Sequence, residues 1–132
     1  MDDSQWQPLV AAAKAASANA YCPYSRFAVG AAVQSADGHV FTGCNIENAS
    51  YGLAVCAERN AVFHAVAAGN REIVAAVIYT PTPAYATPCG ACRQVLLEFG
   101  PNAEVLCVSD GADQGRFTVS SLLPHAFVLE TP

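Results

Sequence analysis

Charge is scarce in this chain. Asp, Glu, Lys and Arg make up 13% of its 132 residues, about half the ~25% usual for soluble domains. Six residues are basic and eleven acidic, for a net charge of −5. No basic cluster is present, so the footprint that grips a phosphate backbone is missing and nucleic acid is not an expected partner. Long apolar runs are missing too. Nothing approaches the ~20 residues that span a bilayer, and no secretory leader pattern is visible. A cytoplasmic protein without a membrane partner is therefore expected. Repeats, linkers and low-complexity tails are absent beyond an alanine-rich start. One domain over residues 1–132 is expected, burying about two-thirds of the surface its unfolded chain exposes.

What is abundant is apolar, at 53%. Little charge on so small a chain points to burial of part of the surface against other subunits, although alanine inflates the apolar count. The six cysteines are Cys22, Cys44, Cys56, Cys89, Cys92 and Cys107. In a cytosolic chain, C-x-x-C reads as metal or redox chemistry rather than a staple.

Asp3 or Ser4 can cap a first helix running to about Ala20, closed by Cys22-Pro23-Tyr24-Ser25. Phe27 to Val33 reads as a strand, Asp37-Gly38 as a hairpin turn and His39 to Asn45 as the returning strand. Cys56 opens a second helix ending near Gly69. Ile73 to Thr80 is a strand rich in β-branched residues, and the proline-rich 81–88 is a loop. Gly90 to Phe99 forms a third helix, stopped by Gly100-Pro101. Val105 to Ser109 and Phe117 to Val119 complete the strands, and Ser120 caps a short helix before Pro124. This order predicts an α/β fold: a mixed five-stranded sheet between helical layers, a three-layer α/β/α arrangement. The segment from Ser109 to Phe117 is too short for a parallel crossover, so the last two strands are expected to be antiparallel.

Cys56-Ala57-Glu58 and Pro88-Cys89-Gly90-Ala91-Cys92 carry the chemistry. Cys89 and Cys92 are spaced to face one side of a helix start, and Cys56 sits at the start of another. Helix N-termini favour negative charge and so favour thiolates. Three thiolates on one zinc ion would leave a fourth position for water, whose pKa zinc lowers toward ~7. Glu58, two residues past a ligand, could face that water as a proton shuttle. A redox C-x-x-C would leave Cys-x-Glu unexplained. A closed structural zinc needs a fourth ligand. His64 lies about 12 Å along the helix from Cys56, Cys107 lies in an apolar strand, and Cys44 remains open by spacing.

Gly43-Cys44-Asn45-Ile46-Glu47-Asn48-Ala49-Ser50-Tyr51, Cys56-Ala57-Glu58-Arg59 and Pro88-Cys89-Gly90-Ala91-Cys92-Arg93-Gln94 together resemble the small homotetrameric zinc-dependent cytidine deaminases. Tyr21-Cys22-Pro23-Tyr24-Ser25-Arg26-Phe27 and Leu122-Leu123-Pro124 fit as well, so the likeness runs from about Leu9 to Phe127. The resemblance implies a cytidine-deaminase-like fold and hydrolytic deamination of cytidine and deoxycytidine in pyrimidine salvage. It implies one zinc per chain, held by Cys56, Cys89 and Cys92, with Glu58 relaying protons to ring N3 and to the leaving ammonia. By the same likeness, the Ala57 N–H meets the C2 carbonyl, Asn45 and Glu47 bind the ribose 3′-hydroxyl, and Phe27 packs on the base. Arg59 offsets the charge of the thiolates, and Tyr51 and Phe127 reach a neighbour's site in a homotetramer. One departure falls in the tail: family members often follow the phenylalanine with Gly-Pro, and here Val128-Leu129-Glu130 follows Phe127.

Three rivals remain. A deaminase of tRNA or single-stranded DNA would need a basic groove and typically a parallel last strand. A deaminase of a cytosine nucleoside antibiotic would be expected to lack the Asn45-x-Glu47 pair. A structural zinc module would have no open coordination position.

Overall fold

A computed structural model describes residues 1–132. Helix α1 (Asp3–Ser17) is capped by Asp2. The Asp2 carboxylate accepts the Gln5 N–H at 3.1 Å, and the Gln5 side chain accepts the Asp2 N–H at 2.8 Å. The cap therefore precedes the expected Asp3 or Ser4. The helix also stops at Ser17 rather than about Ala20, despite the helix preference of alanine. The Tyr21 N–H is drawn to the Asn45 carbonyl at 3.0 Å and Tyr21 forms an isolated bridge with Ile46, so the chain leaves the helix to pair.

Five strands follow: β1 (Gly30–Ser35), β2 (Val40–Cys44), β3 (Ile73–Thr80), β4 (Glu104–Ser109) and β5 (Gly115–Thr118). Their order in the sheet is β2-β1-β3-β4-β5. β1 runs antiparallel to β2 and β3, β3 and β4 are parallel, and β4 and β5 are antiparallel as expected. β1 begins at Gly30, not Phe27, because Asn45 takes residues 27–29 into a loop. Its Oδ1 accepts the Val29 N–H at 2.8 Å and its Nδ2 donates to the Phe27 carbonyl at 2.7 Å.

Alternate residues of the sheet serve two cores. Ala32, Val77, Tyr79 and Leu106 pack with Trp6, Leu9 and Ala13 of α1. Val33, Ile78, Val105 and Cys107 face helices α2 (Ala57–Ala67) and α3 (Gly90–Phe99) through Ala61, Val62 and Leu96. The sheet is thus covered on both faces. Gly69, with φ +93°, takes the left-handed position that closes α2. The short helix α4 (Val119–Leu122) is capped by Thr118, which accepts the Ser121 N–H at 3.3 Å; the expected Ser120 cap is incorrect. A 3-10 turn at Tyr51–Leu53 had no counterpart in the sequence reading. No helix is long and apolar enough to cross a membrane.

Helix α2 reaches the sheet because Gly43 lets it approach. A Cβ at position 43 would lie 2.4 Å from the Ala61 nitrogen and 2.5 Å from the Ala57 oxygen, both helix backbone. Gly43→Ala should therefore destabilise the protein by about 1–3 kcal/mol through overpacking. Urea unfolding reads the effect, and an unchanged midpoint would contradict the close packing of α2 on β2.

Candidate metal centre and active site

Cys56 and Cys89 are the N-cap residues of α2 and α3, both in extended conformation, and neither side chain is used to close its helix end. Their sulfurs are thus free to face each other. Cys92, in the first turn of α3, presents its sulfur on the same side. The three Sγ atoms lie within 4.8 Å of one another, with Cys56 and Cys89 at 3.8 Å. Tetrahedral zinc with Zn–S bonds of ~2.3 Å sets its sulfurs about 3.8 Å apart, so the cluster fits that ion.

No fourth protein ligand joins them, as the cluster comprises these three residues alone. Cys44, which the spacing had left open, stands outside it. His64 Nδ1 lies 3.2 Å from the Thr42 carbonyl instead. Burial, with the nearby Glu58 charge, pushes the Cys107 thiol up to about 12.

Three thiols this close cannot all ionise without a cation. Cys56 is lowered to about 5, chiefly because Cys92 hydrogen-bonds its sulfur; Arg59 and Cys89 add to this. Cys92 is pushed well above the ordinary thiol value, as partner to that thiolate and as a buried group beside Glu58. Arg59 Nη2 lies 3.5 Å from Cys56 Sγ, and its buried Nε has no protein partner. One edge of the guanidinium thus faces the cluster.

Glu58 is 6% exposed. Burial raises its carboxyl to about 7; the Cys56 charge adds to this, while its own N–H, Cys92 and Arg59 oppose it. A carboxyl poised near neutrality can both accept and return a proton.

Cys56, Ala57, Glu58 and Cys89 form one side of a cavity of about 250 Å³; Phe27, Asn45 and Glu47 also line it. The Ala57 N–H, first in α2, has no partner within its helix. Phe27 is 41% exposed. Glu47 accepts from the Tyr24 and Ser25 N–H groups at 3.0 and 3.1 Å and from the Ser25 hydroxyl. Tyr51 and Phe127 do not line this cavity within their own chain. Tyr51 borders an adjoining cavity of about 320 Å³ and meets Tyr24 edge-on at 5.9 Å. Phe127 lies against α3, its carbonyl accepting from Gln94 Nε2 at 3.1 Å.

Ser25, Ile78 and Thr87 also line the cysteine cavity and were not singled out from the sequence. Ser25 sits in the quoted Tyr21–Phe27 motif, but nothing in its spacing links it to residue 47. Ile78 reads as ordinary strand core, and Thr87 as loop.

The model of the cytidine and deoxycytidylate deaminase zinc-binding region matches residues 3–108. The chain is 49% identical over 125 residues to a cytidine deaminase of Halalkalibacterium halodurans, covering 94% of this chain and 95% of that protein. It is 45% identical over 130 residues to a cytidine deaminase of Mycobacterium tuberculosis, covering 98% and 95% respectively. The crystal structure of a cytidine deaminase from Burkholderia pseudomallei superposes with a TM-score of 0.89 at 48% identity, covering 96% of this chain and 100% of that one.

Metal analysis of single variants tests the cluster. Cys89→Ala and Cys92→Ala should lose the zinc and with it stability, because metal binding is coupled to folding. Cys44→Ala and Cys107→Ala should retain wild-type zinc content. Loss of metal from Cys44→Ala would mean that the fourth position is closed.

Proposed function

This chain belongs to the zinc-dependent cytidine deaminase family, and on that premise we propose that it hydrolyses cytidine and deoxycytidine to uridine and deoxyuridine with release of ammonia. The observation that carries the proposal is the buried Glu58 carboxyl beside a three-sulfur cluster that lacks a fourth protein ligand and opens into a cavity.

Cys56, Cys89 and Cys92 would hold the zinc, which when bound would supply a Lewis acid able to make water nucleophilic near neutral pH. The protein must then move protons. Both protons of the attacking water must be relocated, one to ring N3 and the other to the departing amine. Glu58, buried beside the cluster and lining the cavity, is the group placed to carry both. Arg59 compensates the negative charge of the thiolates. The Ala57 N–H holds the C2 carbonyl, Phe27 packs on the base, and Asn45 and Glu47 receive the 3′-hydroxyl. A carboxylate accepts a hydroxyl well and repels a phosphate, which favours free nucleosides over nucleotides. The Asn45-x-Glu47 pair beside the cysteines favours cytidine over an antibiotic nucleoside.

We also infer a cytoplasmic homotetramer serving pyrimidine salvage. The low charge supports assembly, and so does the exposure of Tyr51 at 77% and Phe127 at 70%. In this reading both side chains help close a neighbouring chain's pocket, excluding water from the reaction.

Glu58→Gln should keep its zinc while turnover falls by about 10⁴-fold or more, because the residue acts in several proton transfers each worth ~10²–10⁴. Absorbance on mixing with cytidine measures this, and activity within tenfold of wild type would remove Glu58 from the mechanism. Assembly is tested by mixing subunits. A Glu58→Gln chain combined with a Phe127→Ala chain should regain activity above either parent, because some sites draw every functional group from intact sources. No gain after verified exchange would refute shared sites.

A further inference from the structure

Glu47 is held by an unusual number of donors for a surface carboxylate. The Tyr24 and Ser25 N–H groups donate to Oε1 at 3.0 and 3.1 Å, and the Ser25 hydroxyl donates to Oε2. A hydroxyl has one proton and two lone pairs. The Ser25 proton is spent on Glu47, and the same oxygen accepts the Phe27 N–H at 3.0 Å. One side chain therefore ties residue 47 to residue 27 across the cavity that both line. Between them Arg26 adopts φ +57°, a left-handed conformation that costs energy in a non-glycine residue. Its N–H is anchored on the Cys22 carbonyl at 2.9 Å.

A carboxylate offers about four acceptor sites. Three donors leave room for about one more, which matches a single sugar hydroxyl. The Ser25 hydroxyl is also the foremost group holding the Glu47 carboxyl below its ordinary value, so the acceptor stays ionised. Without these contacts a glutamate side chain would retain its rotamer freedom and lose it only on binding.

We propose that Ser25 is a positioning residue for sugar recognition: its hydroxyl sets the Glu47 carboxylate to receive the 3′-hydroxyl and locks that setting to the Phe27 segment that meets the base. This inference rests on the cytidine deaminase reading. It adds a residue that acts through Glu47 and the Phe27 segment, and it makes base and sugar recognition a coupled unit.

The test is kinetic and uses two substrates, cytidine and 3′-deoxycytidine. Ser25→Val removes the hydroxyl at similar size to threonine, and Ser25→Thr retains it. For cytidine, Ser25→Val should raise KM about tenfold, the effect falling on KM more than on kcat. For 3′-deoxycytidine, which gives Glu47 nothing to bind, the same variant should change KM by less than about threefold. Ser25→Thr should restore the cytidine KM to within about threefold of wild type. In a Glu47→Gln background, Ser25→Val should add no further loss specific to cytidine. Equal losses on both substrates, failure of threonine to rescue, or a full additional loss in the Glu47→Gln background would overturn the role. A wild-type protein that turned over neither nucleoside would defeat the deaminase reading itself, an outcome distinct from these.

Discussion

Two helices begin at one point in space, and the site follows from that constraint. α2 starts at Cys56 and α3 at Cys89, each through an extended cap residue whose side chain does not serve the helix. The positive ends of both helix dipoles converge on the sulfurs. That field favours thiolates, yet three of them within 4.8 Å repel one another. The opposed shifts of Cys56 and Cys92 express the conflict: one sulfur keeps the charge and its neighbour keeps the proton. Zinc held by Cys56, Cys89 and Cys92 would relieve it, since a dication lets every sulfur ionise. The surrounding scaffold brings no further ligand to the three sulfurs.

The same scaffold divides the cavity into a reacting wall and a recognising wall. Helix α2 supplies Cys56, Ala57 and Glu58 in succession, so the ligand, amide donor and proton carrier of the proposed mechanism would all come from one helix start. Burial against the sheet is what raises Glu58 toward neutrality, and Gly43 is what permits that burial. Opposite them, the chain leaving β2 carries Asn45 and Glu47. Both are already engaged by the 21–29 segment, through Phe27 and Val29 on one side and Tyr24 and Ser25 on the other. In the proposed mechanism, recognition would therefore rest on a loop that is itself hydrogen-bonded into place, and chemistry on secondary structure.

Much of this was legible in the sequence where one local rule decided the outcome. Ile73–Thr80 and Gly90–Phe99 matched their expected bounds, because a β-branched run and a helix stopped by Gly-Pro leave little competition. The antiparallel final pair followed from loop length alone. Expectations failed where distant segments competed with local propensity. Alanine favoured continuing α1 past Ser17, but Tyr21 pairs with Ile46; apolar residues favoured starting β1 at Phe27, but Asn45 holds that stretch as loop. At the site, the short motifs Cys56-Ala57-Glu58 and Cys89-Gly90-Ala91-Cys92 led to the expectation of one cluster, and the three sulfurs do lie together. Ser25 was not readable, because its partner stands 22 residues away with no periodic relation between them.

The scarcity of charge gains a physical meaning from the same geometry. A small monomer normally covers its exterior with charged side chains, but this chain exposes Tyr51, Leu53, Phe127, Val128 and Leu129, each at least 66% accessible. Tyr51 borders the cavity that adjoins the Glu47 pocket and shares Ser25 and Glu47 with it. Phe127 lies against α3, the helix that carries two of the three cysteines. Exposed apolar surface on a chain with few charges is the kind of surface that marks an interaction site. A neighbour that covered these residues would remove apolar area from water and close the cavity in the same step. On that view association and substrate enclosure draw on one hydrophobic surface, so selection for either would hold charge away from both.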